Sequence, residues 1–126
     1  MKKKYTNHLT EEEKKVIING GTEVPFTGEY NDFYSEGFYA CKSCGFKLFD
    51  SVSKFKSNCG WPSFDDAIEG TVITSRDTSL GRIRTEVSCS QCGGHLGHLF
   101  EGEGYTDKNT RYCVNSISLK FIEDKL

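Results

Sequence analysis

Proline, tryptophan and methionine are nearly missing from this 126-residue chain, which holds two, one and one of them. So little proline, together with 13% aromatic residues, argues against an extended disordered chain. No run of about 18 apolar residues occurs, so no membrane span is expected. The basic opening Met1-Lys2-Lys3-Lys4 leads into Tyr5-Thr6-Asn7-His8 and not into an apolar segment, so no secretory signal is expected. A dominant charge is missing too. Sixteen basic residues oppose eighteen acidic ones, a formal net charge of −2, which disfavours non-specific nucleic-acid binding. Repeats, low-complexity tracts and linkers are not seen. The length suits one domain, since domains cluster at roughly 100–150 residues. Against these shortages stand thirteen glycines and six cysteines. Six cysteines in a secreted mini-protein would form three disulfides, but a chain this large without an export signal needs another account.

One helix is predicted, over Glu11–Asn19. Thr10 is a good N-cap with Glu13 three residues on, as in a capping box, and Gly20-Gly21 ends the segment. Glu11, Glu12 and Glu13 suit the positive end of the helix dipole. Beyond it the pattern turns to period two. Phe38–Ala40 and Thr71–Thr74 are short strand candidates. Ile83, Thr85 and Val87 alternate with Arg82, Arg84 and Glu86, which reads as a half-buried strand with a solvated face. Ile117, Leu119 and Phe121 alternate with Ser116, Ser118 and Lys120, the clearest strand in the chain. Ser63-Phe64-Asp65-Asp66 is expected to start a helical turn. The expected fold is mainly antiparallel β behind an N-terminal helical arm.

Cys41-Lys42-Ser43-Cys44-Gly45 and Cys89-Ser90-Gln91-Cys92-Gly93 are two Cys-x-x-Cys-Gly knuckles. Two intervening residues fold so that both sulfurs aim at one point, and the glycine lets the backbone turn beneath them. Together the knuckles supply four thiolates in a tetrahedron, the closed structural zinc arrangement. An iron–sulfur cluster shares the pattern. A thioredoxin-type redox pair would precede a helix, and neither knuckle does. A closed site leaves no open coordination position, so it says little about activity.

Cys59 and Cys113 have no such partner. At extended spacing Arg111, Cys113 and Asn115 share one face while Val114 points away, so a cation and an amide flank the thiol. Cys113 also reads as a small core residue. His95 and His98 would face opposite ways on a strict strand, but Gly97 between them permits a bulge that re-aims one. A cysteine with a histidine is a plausible reaction centre; zinc ligation and structural hydrogen bonding are the plainer readings. Trp61, in a Gly-Trp-Pro turn two residues from Cys59, serves either as core packing or as the wall of an apolar pocket.

These segments together resemble the methionine-R-sulfoxide reductases of MsrB type, from about Leu9 to Phe121. The resemblance rests on Cys59-Gly60-Trp61-Pro62-Ser63-Phe64, Arg84-Thr85-Glu86-Val87, His95-Leu96-Gly97-His98-Leu99-Phe100 and Arg111-Tyr112-Cys113-Val114-Asn115-Ser116, in order and with both knuckles. It implies a mainly β fold of two antiparallel sheets, tent- or barrel-like, with structural zinc on Cys41, Cys44, Cys89 and Cys92 away from the active site. It implies that Cys113 is the catalytic and Cys59 the resolving cysteine. His95, His98 and Asn115 would belong to the sulfoxide site, with Trp61 as the wall for the sulfoxide methyl. Lys56 and Asn58 stand where an acidic residue and glycine are usual, and Glu101–Gly104 lacks the proline often found there. Asn tolerates left-handed backbone nearly as glycine does, so loop variation is expected here, not lost chemistry.

On this resemblance, residues 9–122 are the expected catalytic domain, between tails at 1–8 and 123–126. The expected reaction is thiol-dependent reduction of methionine-R-sulfoxide, free or in oxidised proteins, as repair of oxidative damage. Cys113 thiolate attacks sulfur while a histidine, His98 preferred, delivers a proton, and Arg111 and Asn115 hold the thiolate. Cys113 becomes a sulfenic acid, which Cys59 converts to a disulfide that thioredoxin reduces. A transient disulfide suits a reducing cytoplasm, and a monomer without nucleic-acid or membrane partners is expected. Two other classes stay open on the residues alone. A zinc-knuckle binding module would need a clustered basic face, and a zinc hydrolase an open ligand position.

Overall fold

The computed structural model describes residues 1–124, in which nine strands form two antiparallel sheets. The chain starts with a short helical turn, α1 (Lys3–Thr6), and a helix, α2 (Glu11–Ile17). The capping box is present: Glu13 N–H donates to Thr10 Oγ1 at 3.2 Å, and Thr10 N–H donates to the Glu13 carboxylate at 2.8 Å. Regular helix stops at Ile17, two residues short of the predicted Asn19, because the chain unwinds through a turn into left-handed Gly20. The helix buries Val16 and Ile17.

The smaller sheet has the order β2-β1-β9, with β1 Gly37–Cys41, β2 Lys47–Asp50 and β9 Leu119–Glu123. The larger has the order β3-β4-β8-β7-β6-β5. Its strands are β3 Lys54–Phe55, β4 Ser63–Phe64, β5 Val72–Asp77, β6 Arg84–Cys89, β7 His95–Glu101 and β8 Thr110–Val114. The core contains Tyr39, Leu48, Phe49, Phe64, Val87, Val114 and Leu119, all at most 1% exposed. Phe49 stacks on Phe64 at 4.4 Å and 16°, and Tyr39 meets Phe64 edge-on at 5.1 Å. Burying each such ring contributes about 2–3 kcal/mol, so the aromatic layer is a principal support for the strands it underlies.

Two expectations are corrected. Ser63-Phe64 is strand, not helical turn, because it fills the slot between β3 and β8, and Val114 N–H donates to the Pro62 carbonyl at 3.0 Å. Extended pairing is what brings Phe64 into the core. The predicted strand over Ser116–Phe121 forms only from Leu119, after a 3-10 turn at Ser116–Ser118. There the Ser116 and Ile117 N–H groups donate to the Glu23 carboxylate instead of to a neighbouring strand. Cys113 lies in the preceding strand, β8.

Candidate active site

The register of the larger sheet assembles the site. Cys113 on β8 stands opposite His98 on β7 and opposite Ser63 on β4. On β7 the register slips against Val87 and Ser88, which face Gly97 and His95, leaving Leu96 as the extra residue of a bulge. The bulge brings the His95 and His98 rings within 5.5 Å of each other. Gly97 is needed for a second reason. A Cβ there would run into the Cys113 carbonyl on β8, so only glycine lets the two strands close beside the thiol.

Cys59 reaches Cys113 from the loop before β4. The sulfurs are 3.9 Å apart, and both cysteines are free. Asn58, preceding Cys59, adopts a φ of 62°, the left-handed backbone expected of a residue replacing glycine. Ser57 Oγ lies 3.1 Å from the Cys59 sulfur and 2.7 Å from Ser63 Oγ. At this distance either thiol can donate to the other sulfur. The Cys59 thiol is brought down to about 4, first by the hydrogen bond from Cys113 and, against burial, by Ser57 and Ser63. The same contact, then burial and the charge on Cys59, raises Cys113, while the Arg111 cation opposes the rise. Arg111 is itself held rigidly. Its Nε donates to Glu103 Oε1 at 2.8 Å, a second nitrogen donates to Oε2 at 3.2 Å, and the guanidinium stacks on Phe100 at 4.6 Å.

Each histidine has its own carboxylate. His98 Nε2 lies 2.8 Å from Asp77 Oδ2, and His95 Nδ1 lies 2.6 Å from Glu86 Oε2. The His98 partnership, with the Ser79 N–H and hydroxyl, holds Asp77 below the usual carboxylate range. Burial pulls His95 below the ordinary imidazole value, with Glu86 opposing, and leaves its buried Nε2 without a partner. These carboxylates were missed in the sequence. Asp77 lies past the predicted end of its strand, and the Arg84/Glu86 face assigned to solvent is half-covered and turned toward the histidines. The available signal was the alternation itself, carried onto a strand facing a His-x-x-His segment.

Cys113, His98, Trp61, Asn115, Thr22 and Phe100 line a cleft of about 80 Å³. Cys59, His95 and Arg111 do not line it. Asn115 spends most of its amide on the frame, because its Oδ1 accepts the Glu23 N–H at 3.0 Å and its Nδ2 donates to the Leu96 carbonyl at 3.0 Å. Trp61 is oriented by its indole N–H, which donates to the Glu23 carbonyl at 3.1 Å. A larger hollow of about 710 Å³, between α2 and the 22–29 segment, is lined by neither thiol nor histidine.

Apart from these residues, Cys41, Cys44, Cys89 and Cys92 place their sulfurs within 4.8 Å of one another. Cys41–Cys92 and Cys44–Cys89 are each 3.6 Å apart. Ligands at about 2.3 Å from a tetrahedral zinc lie about 3.8 Å apart, so the four fit such an ion. The knuckles are near copies. Gly45 and Gly93, at φ 79° and 80°, donate their N–H to the Cys41 and Cys89 carbonyls, each at 2.8 Å.

The family model described as the SelR domain matches residues 9–123. The chain is 48% identical to peptide methionine sulfoxide reductase MsrB of Teredinibacter turnerae, over 96% of this chain and 90% of that one. It is 51% identical to the protein of that name from Pseudomonas putida, over 90% and 85%. Peptide methionine sulfoxide reductase B5 of Oryza sativa is 48% identical over 90% and 82%. The crystal structure of the Mis18 'Yippee-like' domain superposes with a TM-score of 0.58 at 20% identity, over 73% of this chain and all of that one, a likeness of fold alone.

Proposed function

The chain belongs to the SelR-domain family, the methionine sulfoxide reductases of MsrB type, and on that premise we propose that residues 9–122 reduce methionine-R-sulfoxide, free or within oxidised proteins, through Cys113 and Cys59. The observation that carries this reading is the 3.9 Å approach of two free thiols, one of which lines a cleft with a histidine and the sole tryptophan.

The sulfoxide oxygen leaves only if protonated, so attack and proton delivery must coincide. Cys113 first passes its proton to the Cys59 thiolate across their contact, leaving its own thiolate beside Arg111. That thiolate forms a bond to the sulfoxide sulfur while His98, oriented by Asp77, protonates the oxygen. The S–O bond then breaks with its pair on the oxygen, that hydroxide attacks the Cys113 sulfur to give the sulfenic acid, and the newly formed bond between Cys113 and the methionine sulfur breaks with its electron pair leaving on methionine. The Cys59 thiol condenses with the sulfenic acid, releasing water and leaving a Cys59–Cys113 disulfide. Two thiols are oxidised and one sulfoxide is reduced. Thioredoxin is the proposed dithiol that restores the pair by exchange. Trp61 receives the methyl group, and Asn115, His95 and Arg111 hold the frame.

Cys41, Cys44, Cys89 and Cys92 would hold one zinc ion, which as a closed four-thiolate centre supplies folding energy and no step of the reaction. A disulfide formed and broken in each cycle suits a reducing cytoplasm. A monomer is proposed, with no nucleic-acid or membrane partner. Among the described residues no helix is long and apolar enough to cross a membrane.

The test separates the thiols by stereospecific assay. Cys113→Ser is expected to abolish reduction of the R epimer. Cys59→Ser is expected to complete about one turnover and then stall with thioredoxin, since the sulfenic acid lacks its resolving partner. Sustained thioredoxin-dependent turnover by Cys59→Ser would overturn the resolving role, and reduction of the S epimer alone would overturn the substrate.

A further inference from the structure

Glu23 takes part in no step above, yet its groups reach both sides of the cleft. Its N–H donates to Asn115 Oδ1 at 3.0 Å, and its carbonyl accepts the Trp61 indole N–H at 3.1 Å. One residue therefore joins two lining groups that lie far apart in the chain. Its carboxylate is anchored in turn. Oε2 accepts the Ser116 N–H at 3.0 Å, and Oε1 accepts the Ile117 N–H at 2.9 Å. These are the opening N–H groups of the 3-10 turn, whose N-cap residue Asn115 makes no side-chain cap of its own. An anionic acceptor facing the N–H groups of an opening turn is favourable both as a charge-assisted hydrogen bond and in the field of the turn. Gly28 leaves the room for it, because a Cβ there would run into Glu23 Oε2 and Ser116 Oγ.

We propose that Glu23 is a positioning residue for the sulfoxide cleft, holding the Trp61 wall and the Asn115 floor at a set separation through its peptide groups and its carboxylate. The proposal rests on the reductase reading above and adds to it a residue that touches neither thiol nor substrate. The two neutral hydrogen bonds at the Glu23 backbone fix Trp61 and Asn115 only if Glu23 itself is fixed. The 21–24 segment has no regular secondary structure to do that. The carboxylate does it, by tying the segment to the turn that directly follows Asn115. Since Trp61 meets the substrate before and during the reaction alike, loosening it costs binding more than chemistry.

The experiment compares Glu23→Gln with wild type on free methionine-R-sulfoxide, using a small dithiol as reductant. Glutamine keeps the size but turns an N–H donor toward one of the two turn N–H groups. The expected result is a KM raised about tenfold with kcat within about twofold, the loss of charge-assisted hydrogen bonds at a binding wall. The emission of Trp61, the sole tryptophan, is expected to move to longer wavelength as its indole loosens. Gly28→Ala, which displaces the carboxylate without altering it, is expected to move both readouts the same way, and it carries the test if Glu23→Gln does not fold. In a Trp61→Phe background, Glu23→Gln is expected to add less than about twofold to KM, because the coupling runs through the indole. An unchanged KM in the folded variants, or the full tenfold penalty persisting without the indole, would overturn the proposal. A wild-type protein inactive on the R epimer would overturn the reductase reading instead. The emission arm still judges the clamp in that case, and an unmoved Trp61 spectrum in both variants refutes it.

Discussion

The side chains of the cleft work in partnerships, and each partnership has a measurable consequence. Asp77 fixes the ring of His98 at 2.8 Å, so Asp77→Asn should remove the anionic partner that keeps the proposed proton donor oriented. A positioned general acid contributes roughly 10²–10⁴-fold, and misorientation should cost about tenfold to a hundredfold of kcat/KM in the R-sulfoxide assay. His95 gives a pH signature. Burial lowers its pKa below the ordinary 6.5, so between these two values the unfolded chain binds a proton that the folded chain does not. Stability is then full above 6.5 and is lost as pH falls through that value toward the folded one. Denaturant midpoints of His95→Gln should show a flatter dependence over this interval than wild type. Cys59, brought down to about 4, keeps the shared charge of the sulfur pair across the neutral range, so thiol alkylation should persist well below the pH at which an ordinary cysteine falls silent.

Among the elements, β7 and β8 form the narrowest junction. Gly97→Ala would press a methyl group into the Cys113 carbonyl, and the strands can relieve it only by parting. Overpacking of this kind costs about 3 kcal/mol, visible as a lower denaturation midpoint together with loss of the Cys59–Cys113 approach. Elements also show where period two suffices. It located β6 and the later part of the β9 segment, which bury Val87, Cys89 and Leu119; β1 and β5 were legible only as short apolar or β-branched runs, β1 being buried at four of its five residues and β5 at none. It failed at Ser116–Ser118, where residues of strand-like pattern give their N–H groups to Glu23, and at Ser63-Phe64, where a polar-looking pair completes a sheet. A carboxylate arriving from a distant loop, or a vacant slot between strands, leaves no trace in the local pattern.

Over the whole molecule, the four-cysteine centre is a clasp between sheets. Cys41 ends β1 of the smaller sheet, and Cys89 ends β6 of the larger one. A metal bound by both knuckles would tie the two sheets at one end, while the other two thiols lie on β8 and the loop before β4. Removing the ion with a strong chelator, or substituting Cys41→Ser, should lower Tm by about 10 °C or more, since binding energy at such a site is folding energy. Metal analysis on the purified chain should find one zinc per molecule, and the cleft chemistry should fall with the fold and not before it.

Local motifs were legible in the amino-acid sequence. Cys-x-x-Cys-Gly spacing announced the four cysteines that the fold gathers, and the segments around Cys59, Cys113, His95 and His98 announced the candidate set, because these signals are written in contiguous residues. The bulge at Leu96 was foreseeable from Gly97 for the same reason. Partnership across the chain was not. His95 and His98 find their carboxylates 9 and 21 residues away, and Glu23 binds Asn115 across 92. Such contacts depend on strand register and on where a loop returns, and these are settled only when the two sheets close on one core. The sequence by itself determined which thiols and imidazoles are candidates; the tertiary structure decided which carboxylate, cation and turn each of them meets.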